Sequence, residues 1–434
     1  MRPSAFLSGF AALALTFSTS ALGSEVPAQP TVQLSTAPEF AKFRPNPSNK
    51  LKIEYSVWNE ILNNLVFLTG LSTRQAAPKP EALTGSRFVW EHTSPYRQEG
   101  NKIPFSLLRE DHIQTLREYK LDLENVSTRV DIASLPKSEQ LAYWYNLHNV
   151  AVITLIAENY PVAEPSKLLI GPAKTPMHDA KFISVGGKML SLRDIRENIV
   201  YPNWNDPKVI YGFFLGDIGS PSVQSEAFTA QNTEKLLNAS ADEFVNSLRS
   251  FGRGGISQIY KDAERFYFTN FETDLRAHFQ LYMWDEVFAE LSKTDTLKIN
   301  SYEYDIADME GGHGPHVIAN VTIDGKPVKD SQGYALASFT NQIRDKSKVL
   351  LRQGKVKRGV VIVGDEDETE ETSDEEESED EEESEDEDEE TEDSDDEEEA
   401  SDEDEEEEEA PRKKKKKAAA KKSVKKVTKK RARK

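Results

Sequence analysis

A serine in a glycine-rich turn and a histidine next to an aspartate are the residues through which this chain could do covalent chemistry. Ser220 lies between Gly219 and Pro221, and His178 is followed directly by Asp179. Nucleophile, base and orienter could come from such a set. A serine hydroxyl needs that base, because its own pKa lies far above neutral. Adjacent residues rarely serve as base and orienter of one triad, so the plainer reading of Ser220 is an ordinary turn serine. His313 and His316 flank Gly314-Pro315, with Asp308 and Glu310 just upstream. Two imidazoles three residues apart can hold a metal, but the spacing supplies no evident third ligand. The chain has 434 residues and no cysteine. That excludes disulfides, thiolate nucleophiles and cysteine-held zinc. Nothing in the pattern calls for a cofactor.

These groups need elements to position them. Lys137–Asn159 reads as a long helix, with Pro136 before it, Ser138 as its cap and Pro161 as its stop. It is apolar on nearly every side and should run through the core. Asn146, His148 and Asn149 are its polar exceptions, and buried polar groups need partners. They either pin the strand and turn that follow or line a small polar pocket facing Gly216–Ser220, where a small ligand would sit. Phe182–Val185, Gly186-Gly187 and Lys188–Leu190 read as a hairpin, and Ser191 as the cap of a short helix to Val200. The apolar run Val209–Leu215 suits a buried strand, with Gly216–Pro221 turning out of it. Further helices are expected at Lys52–Leu71, Phe105–Tyr119, Thr233–Ser250 and Phe271–Ser292. The fold class is therefore α+β: a helix-rich body around a small sheet. Residues 298–364 read as a smaller β-rich appendage. There, Val317, Ala319, Val321 and Ile323 alternate before the turn Asp324-Gly325, and Gly359–Val363 is a closing strand.

The run Leu141-Ala142-Tyr143-Trp144-Tyr145-Asn146-Leu147-His148-Asn149-Val150 resembles the aromatic-and-asparagine helix of the domain of unknown function 547 family. The likeness continues through Phe182–Gly187, Leu190-Ser191-Leu192 with Asp194-Ile195, Asp206-Pro207, the run to Leu215 and the Gly216–Pro221 turn. It covers roughly residues 135–270. The resemblance implies no settled activity. It does imply a site: many relatives carry a cysteine before a proline in this turn and a histidine in the short helix after the hairpin, a pair suited to thiol chemistry. Here those positions hold Ser220 and Glu197. The expectation is a binding-type, non-catalytic body whose candidate binding residues are Asn146, His148, Asn149, Asp217, Ser220 and Glu197. The rival reading is a hydrolase-like enzyme using Ser220, with His178 and Asp179.

The ends of the chain are different in kind. Arg2, the apolar stretch Ala5–Phe17 and the small residues Ala21-Leu22-Gly23 form a secretion signal, with cleavage expected near Gly23 and export as its consequence. The stretch is too short for a bilayer span, and no later segment qualifies. Residues 24–49 are a linker and 50–297 the main domain. Residues 365–409 carry 36 acidic side chains and no basic one, whereas 412–434 carry 15 basic and no acidic one. Residues 1–364 hold 40 acids and 39 bases, so the overall charge of -22 belongs to the tail. The acidic tail (365–411) and the basic tail (412–434) cannot bury apolar area and should be disordered. Arg412–Lys434 would bind anionic polymers or membrane surfaces by counterion release, without base stacking, since no aromatic is interleaved. In a nuclear protein the same tail would point to histone or nucleic-acid contact, and the secretion signal argues against that compartment. Asn125, Asn238 and Asn320 begin glycosylation sequons.

Overall fold

The computed structural model describes residues 37–80, 89, 91–252, 255–314, 317–323 and 326–356. All fall within one compact unit bounded by Met1–Val361. The secretion signal, the linker up to residue 36, Pro315, His316, the Asp324-Gly325 turn, the strand expected at Gly359–Val363 and both tails lie outside the described residues.

The described helices are α1 (Ser56–Leu65), α2 (Glu110–Arg129), α3 (Lys137–Asn159), α4 (Thr233–Val245), α5 (Gln258–Asp262), α6 (Glu264–Tyr267), α7 (Phe271–Gln280), α8 (Asp285–Leu291) and α9 (Ser331–Arg352). The strands pair locally. β1 (Leu169–Ile170) lies antiparallel to β2 (Thr175–Pro176), β3 (Ile183–Val185) to β4 (Lys188–Leu190), and β8 (Val317–Ile323) to β9 (Lys326–Asp330). The only three-stranded sheet among the described residues joins β5 (Phe251–Gly252), β6 (Gly255–Ser257) and β7 (Ile299–Ser301). The α+β, helix-rich class expected from the sequence is the class observed.

α3 is the axis of the core. Every residue from Glu139 to Ala157 is buried, which follows from an apolar surface that runs all the way round the helix. Its ends fall where the prolines put them, but Ser138 does not cap it. The N-cap is Pro136, with no side-chain cap, and Ser138 already lies in the first turn. The Gly186-Gly187 hairpin is also as expected, with φ of 54° and 77°, the two positive values that a type I′ turn needs. Ser191 caps as expected. Its hydroxyl accepts from Asp194 N–H at 3.0 Å while Asp194 Oδ2 accepts from Ser191 N–H at 2.9 Å. The helix that follows is wound as a π-helix over Asp194–Val200.

Val209–Leu215 is not a strand. Pro207–Gly212 is a 3₁₀-helix, started by Asp206, whose side chain accepts from Lys208 N–H. A short apolar run is buried from all sides in either form, so its pattern could not separate them; the proline and its aspartate cap decide it. α1 ends at Leu65 because Phe67 leaves to pair with Lys102. The helix expected at Phe105–Tyr119 begins later and runs to Arg129, after a 3₁₀ turn at Phe105–Leu107. The helix expected over Phe271–Ser292 is broken into α7 and α8. Asn246 accounts for the break: it donates to Tyr282 O at 2.8 Å and accepts from Trp284 N–H at 2.7 Å.

The stretch 298–364 contains the expected hairpin, and β7 joins the body's own sheet. It also contains the 22-residue α9, where no helix was expected. Ala335, Phe339, Ile343 and Leu350 are buried at helical spacing along α9, and Phe339 packs edge-on against Phe67 at 5.8 Å.

Candidate functional site

α3 presents its polar residues to the segment that follows the π-helix. Asn149 Nδ2 donates to Gly212 O at 3.0 Å, and its Oδ1 accepts from Phe214 N–H at 3.1 Å, bracketing the end of the 3₁₀-helix. Asn146 makes the same paired contact with Phe228, at 2.7 and 3.0 Å. His148 lies between them. The Arg196 guanidinium can only donate, so His148 Nε2, 2.9 Å away, is the acceptor. Nδ1 then carries the proton and donates to Asn149 Oδ1 at 3.1 Å. Burial, and after it the Arg196 charge, hold the His148 imidazole well below its ordinary pKa. The group is neutral and fully committed. Gly212 is obligatory here, because a Cβ would fall 2.4 Å from the Tyr145 ring.

The turn after this segment holds Ser220, which is 1 % exposed. Its hydroxyl donates to Asp217 O at 2.8 Å and accepts from Leu215 N–H at 3.2 Å, closing the turn on itself. Arg249 Nη1 donates to the Ser220 carbonyl at 2.9 Å. Among the described residues no imidazole bonds the Ser220 hydroxyl. His178 instead places Nε2 3.3 Å from Ser166 Oγ, and Asp179 faces Arg193 Nε at 2.6 Å. The three members of the suggested triad are therefore not brought together.

Asp217 has partners that the sequence did not suggest. Ser166 donates to it twice, through its hydroxyl to Oδ2 and its N–H to Oδ1, and Tyr302 O–H reaches Oδ2 at 3.1 Å. Tyr302 opens an extended strap, Tyr302–Ala307, laid across the turn. Gly219 N–H donates to Glu303 O, Ile218 N–H to Asp305 O and Ala307 N–H to Gly216 O, each at 2.8 Å. Gly219 is the close-approach point: a Cβ there would sit 2.6 Å from Glu303 N. Burial pushes the Asp217 carboxyl up to about 7 against these hydrogen bonds, and pushes Asp305 up to about 6 with help from Glu303 and Glu164.

The helix with its two asparagines, the glycine hairpin, the capped short helix and the serine-proline turn thus converge on one place. Residues 132–245 match the family model of a protein of unknown function, DUF547. No curated protein and no solved structure matches the chain. The DUF547 segment stops before the strap, which reaches the turn from outside it.

Glu197 accepts from Arg193 at 2.7 Å and from Arg265 at 3.0 Å. It shares a cleft with Arg196, Tyr201, Leu215, Pro221 and Asp262 whose free volume is only ≈ 20 Å³. That is room for about one water, not for an organic ligand. Ser220 does not line this cleft. Asp308 accepts from the N–H groups of Glu310, Gly311 and Gly312 and from Tyr160 O–H, and Glu310 accepts from Ser106. Among the described residues no three His, Asp or Glu side chains are grouped so as to hold a metal; His316 lies outside them. Nor is any described helix long and apolar enough to cross a membrane.

The groups missed by sequence reasoning are Ser166, Arg196, Arg249 and Tyr302. Ser166 and Tyr302 lie 51 and 85 residues from Asp217, and nothing local marks them.

Proposed function

We propose that this chain is an exported, non-catalytic protein: a DUF547-like body that serves as a binding or scaffolding module, carrying a basic terminus that attaches it to polyanions or anionic surfaces. One observation carries the first half. The Ser220 hydroxyl, at the position where relatives hold a cysteine, is bonded to the backbone of its own turn and buried, and the base position is a glutamate held by two arginines. A nucleophile needs an adjacent base and access to its substrate, and both functions are already occupied by structure.

The second half rests on charge density. Fifteen cations within 23 residues release counterions on meeting a polyanion, whatever its sequence. The acidic run before them competes for the same lysines and sets the salt at which binding appears. Export rests on the N-terminal signal pattern.

Because the chain has no cysteine, Ser220→Cys installs a single thiol at the family position. In the folded protein at pH 7.5 it should react with a disulfide reagent at least ~100-fold more slowly than after unfolding, since reactive thiols need exposure and a lowered pKa. A fast-reacting, low-pKa thiol would restore the enzyme reading. Deleting Arg412–Lys434 should abolish salt-sensitive retention on heparin and on anionic vesicles, with the melting temperature unchanged. Unaltered retention would refute the attachment role.

A further inference from the structure

We propose that Tyr302–Ala307 is a proton-locked strap: it closes over the Gly216–Ser220 turn while Asp217 and Asp305 carry protons, and it releases the turn as they ionise. The geometry has three parts. The first is that the strap is held by a short row of backbone hydrogen bonds. Gly219, Ile218 and Ala307 link it to the turn, and Ile306 N–H donates to Ala163 O at 2.8 Å. The second is that the strap and the turn meet without a side chain between them at Gly219. The third is that Asp217 is buried at the centre of this contact and ties the turn to Ser166 on one side and Tyr302 on the other.

The charges around this centre are of both signs, and Arg249, which donates to the Ser220 carbonyl and pairs with Glu243, is one of the positive ones. The strap contributes Glu303 and Asp305, and the 163–167 segment contributes Glu164, with Lys167 paired to it. Glu164 also acts on Asp217 itself. Glu303 is tied to Ser94 O–H at 3.0 Å. His178 meets the cluster through Ser166 and through the Leu215 backbone, and burial, Arg196 and Arg193 lower its pKa well below the ordinary value. Arg196 from the π-helix acts on Tyr302 and His178. A negative Asp217 would thus sit buried, served by three donors but near the Glu164 carboxylate, whereas a strap that lifts away would return Asp217 and Asp305 to water. Ionisation favours the lifted state, and protonation favours the closed one.

With the Asp217 carboxyl at about 7 when closed and at its ordinary value of about 3.9 in water, linkage raises the opening constant on the order of tenfold between pH 6.0 and pH 8.5. Native-state hydrogen exchange on the full chain, corrected for intrinsic rates, reads this directly at the amides of Ile218, Gly219, Ile306 and Ala307. In the wild type these four should lose about tenfold in protection over that range, while the α3 amides of Val150–Ile153 stay constant relative to one another. In Asp217→Asn, which keeps a neutral hydrogen-bonding group, the change should fall below about twofold. Equal protection of the four amides at both pH values in the wild type overturns the proposal. So does an undiminished response in Asp217→Asn, or a loss that the α3 amides share equally. Should Asp217→Asn fail to fold, Asp305→Asn supplies the second variant: it should remove the further factor of about two that a carboxyl at about 6 adds over this range, and an unchanged response counts against the strap.

Discussion

The α3 network and the strap-covered turn bury ionisable groups equally deeply, yet pH should act on them in opposite ways. At α3, desolvation and the Arg196 charge hold the His148 pKa well below its ordinary value, which favours the uncharged ring. At the turn, the same desolvation moves the Asp217 carboxyl up to about 7, into the range where it titrates. Burial disfavours charge in both places. For a base that means a lowered pKa and for an acid a raised one, so one region becomes insulated and the other responsive. The partners differ to match. His148 and Asn149 exchange hydrogen bonds with each other, with backbone groups and with one arginine, whereas Asp217 has the Glu164 carboxylate acting on it.

The comparison can be broken at its rigid end first. Asn149→Ala leaves three buried groups without their partner: Gly212 C=O, Phe214 N–H and His148 Nδ1–H. At ~1–3 kcal/mol for each unsatisfied group, less whatever relaxation recovers, the loss should be about 3–5 kcal/mol. It should appear as a fall of roughly 5–10 °C in melting temperature by calorimetry. A loss under about 1 kcal/mol would mean that Asn149 does not hold the segment, and the distinction between the two regions would fail.

A smaller effect sharpens the responsive end. A carboxyl raised by folding stabilises the protein below its unfolded pKa, and that stability is lost as pH rises through the folded value. Asp217 should therefore cost about 1 kcal/mol between pH 6.5 and pH 8.5. The buried imidazoles act in the other direction. His92 and His278 are lowered to about 3, and His148 and His178 are lowered well below the ordinary value. Their contribution is present above about 6.5 and is lost as pH falls below it. Denaturant unfolding should therefore show the histidine-driven gain toward alkaline pH partly offset by Asp217 in the wild type, and Asp217→Asn should gain about 1 kcal/mol relative to the wild type between pH 6.5 and pH 8.5. A constant difference between variant and wild type over that range would remove Asp217 from the account.

The readable parts of this chain are those in which the signal is local. Lys137–Asn159 was bounded by its prolines, the β3–β4 turn by two glycines, and the Ser191 cap by an aspartate three residues on. The helix α9 was not expected: the alternation at Val317–Ile323 points the stretch toward strand, although Ala335, Phe339, Ile343 and Leu350 recur at helical spacing further on. The segment Val209–Leu215 was not legible, because an apolar run reports burial without reporting conformation. At the candidate site, the sequence marked Asn146, His148, Asn149, Asp217 and Ser220. It gave no sign of Ser166, Arg196 or Tyr302, which reach them across the fold.

By itself, the order of residues settled what this protein lacks and where its main helix runs. A chain without sulfhydryl groups, with serine and glutamate at the two positions in question, has its chemical repertoire narrowed before it folds, and local propensity and punctuation set most helices. Folding decided everything that depends on distance in space: which carboxylate is hidden, which donors surround it, and that a segment downstream of the family region closes over the turn. The physical reason is that pKa and hydrogen-bond satisfaction depend on the surroundings of an atom, and only the packed chain supplies those surroundings.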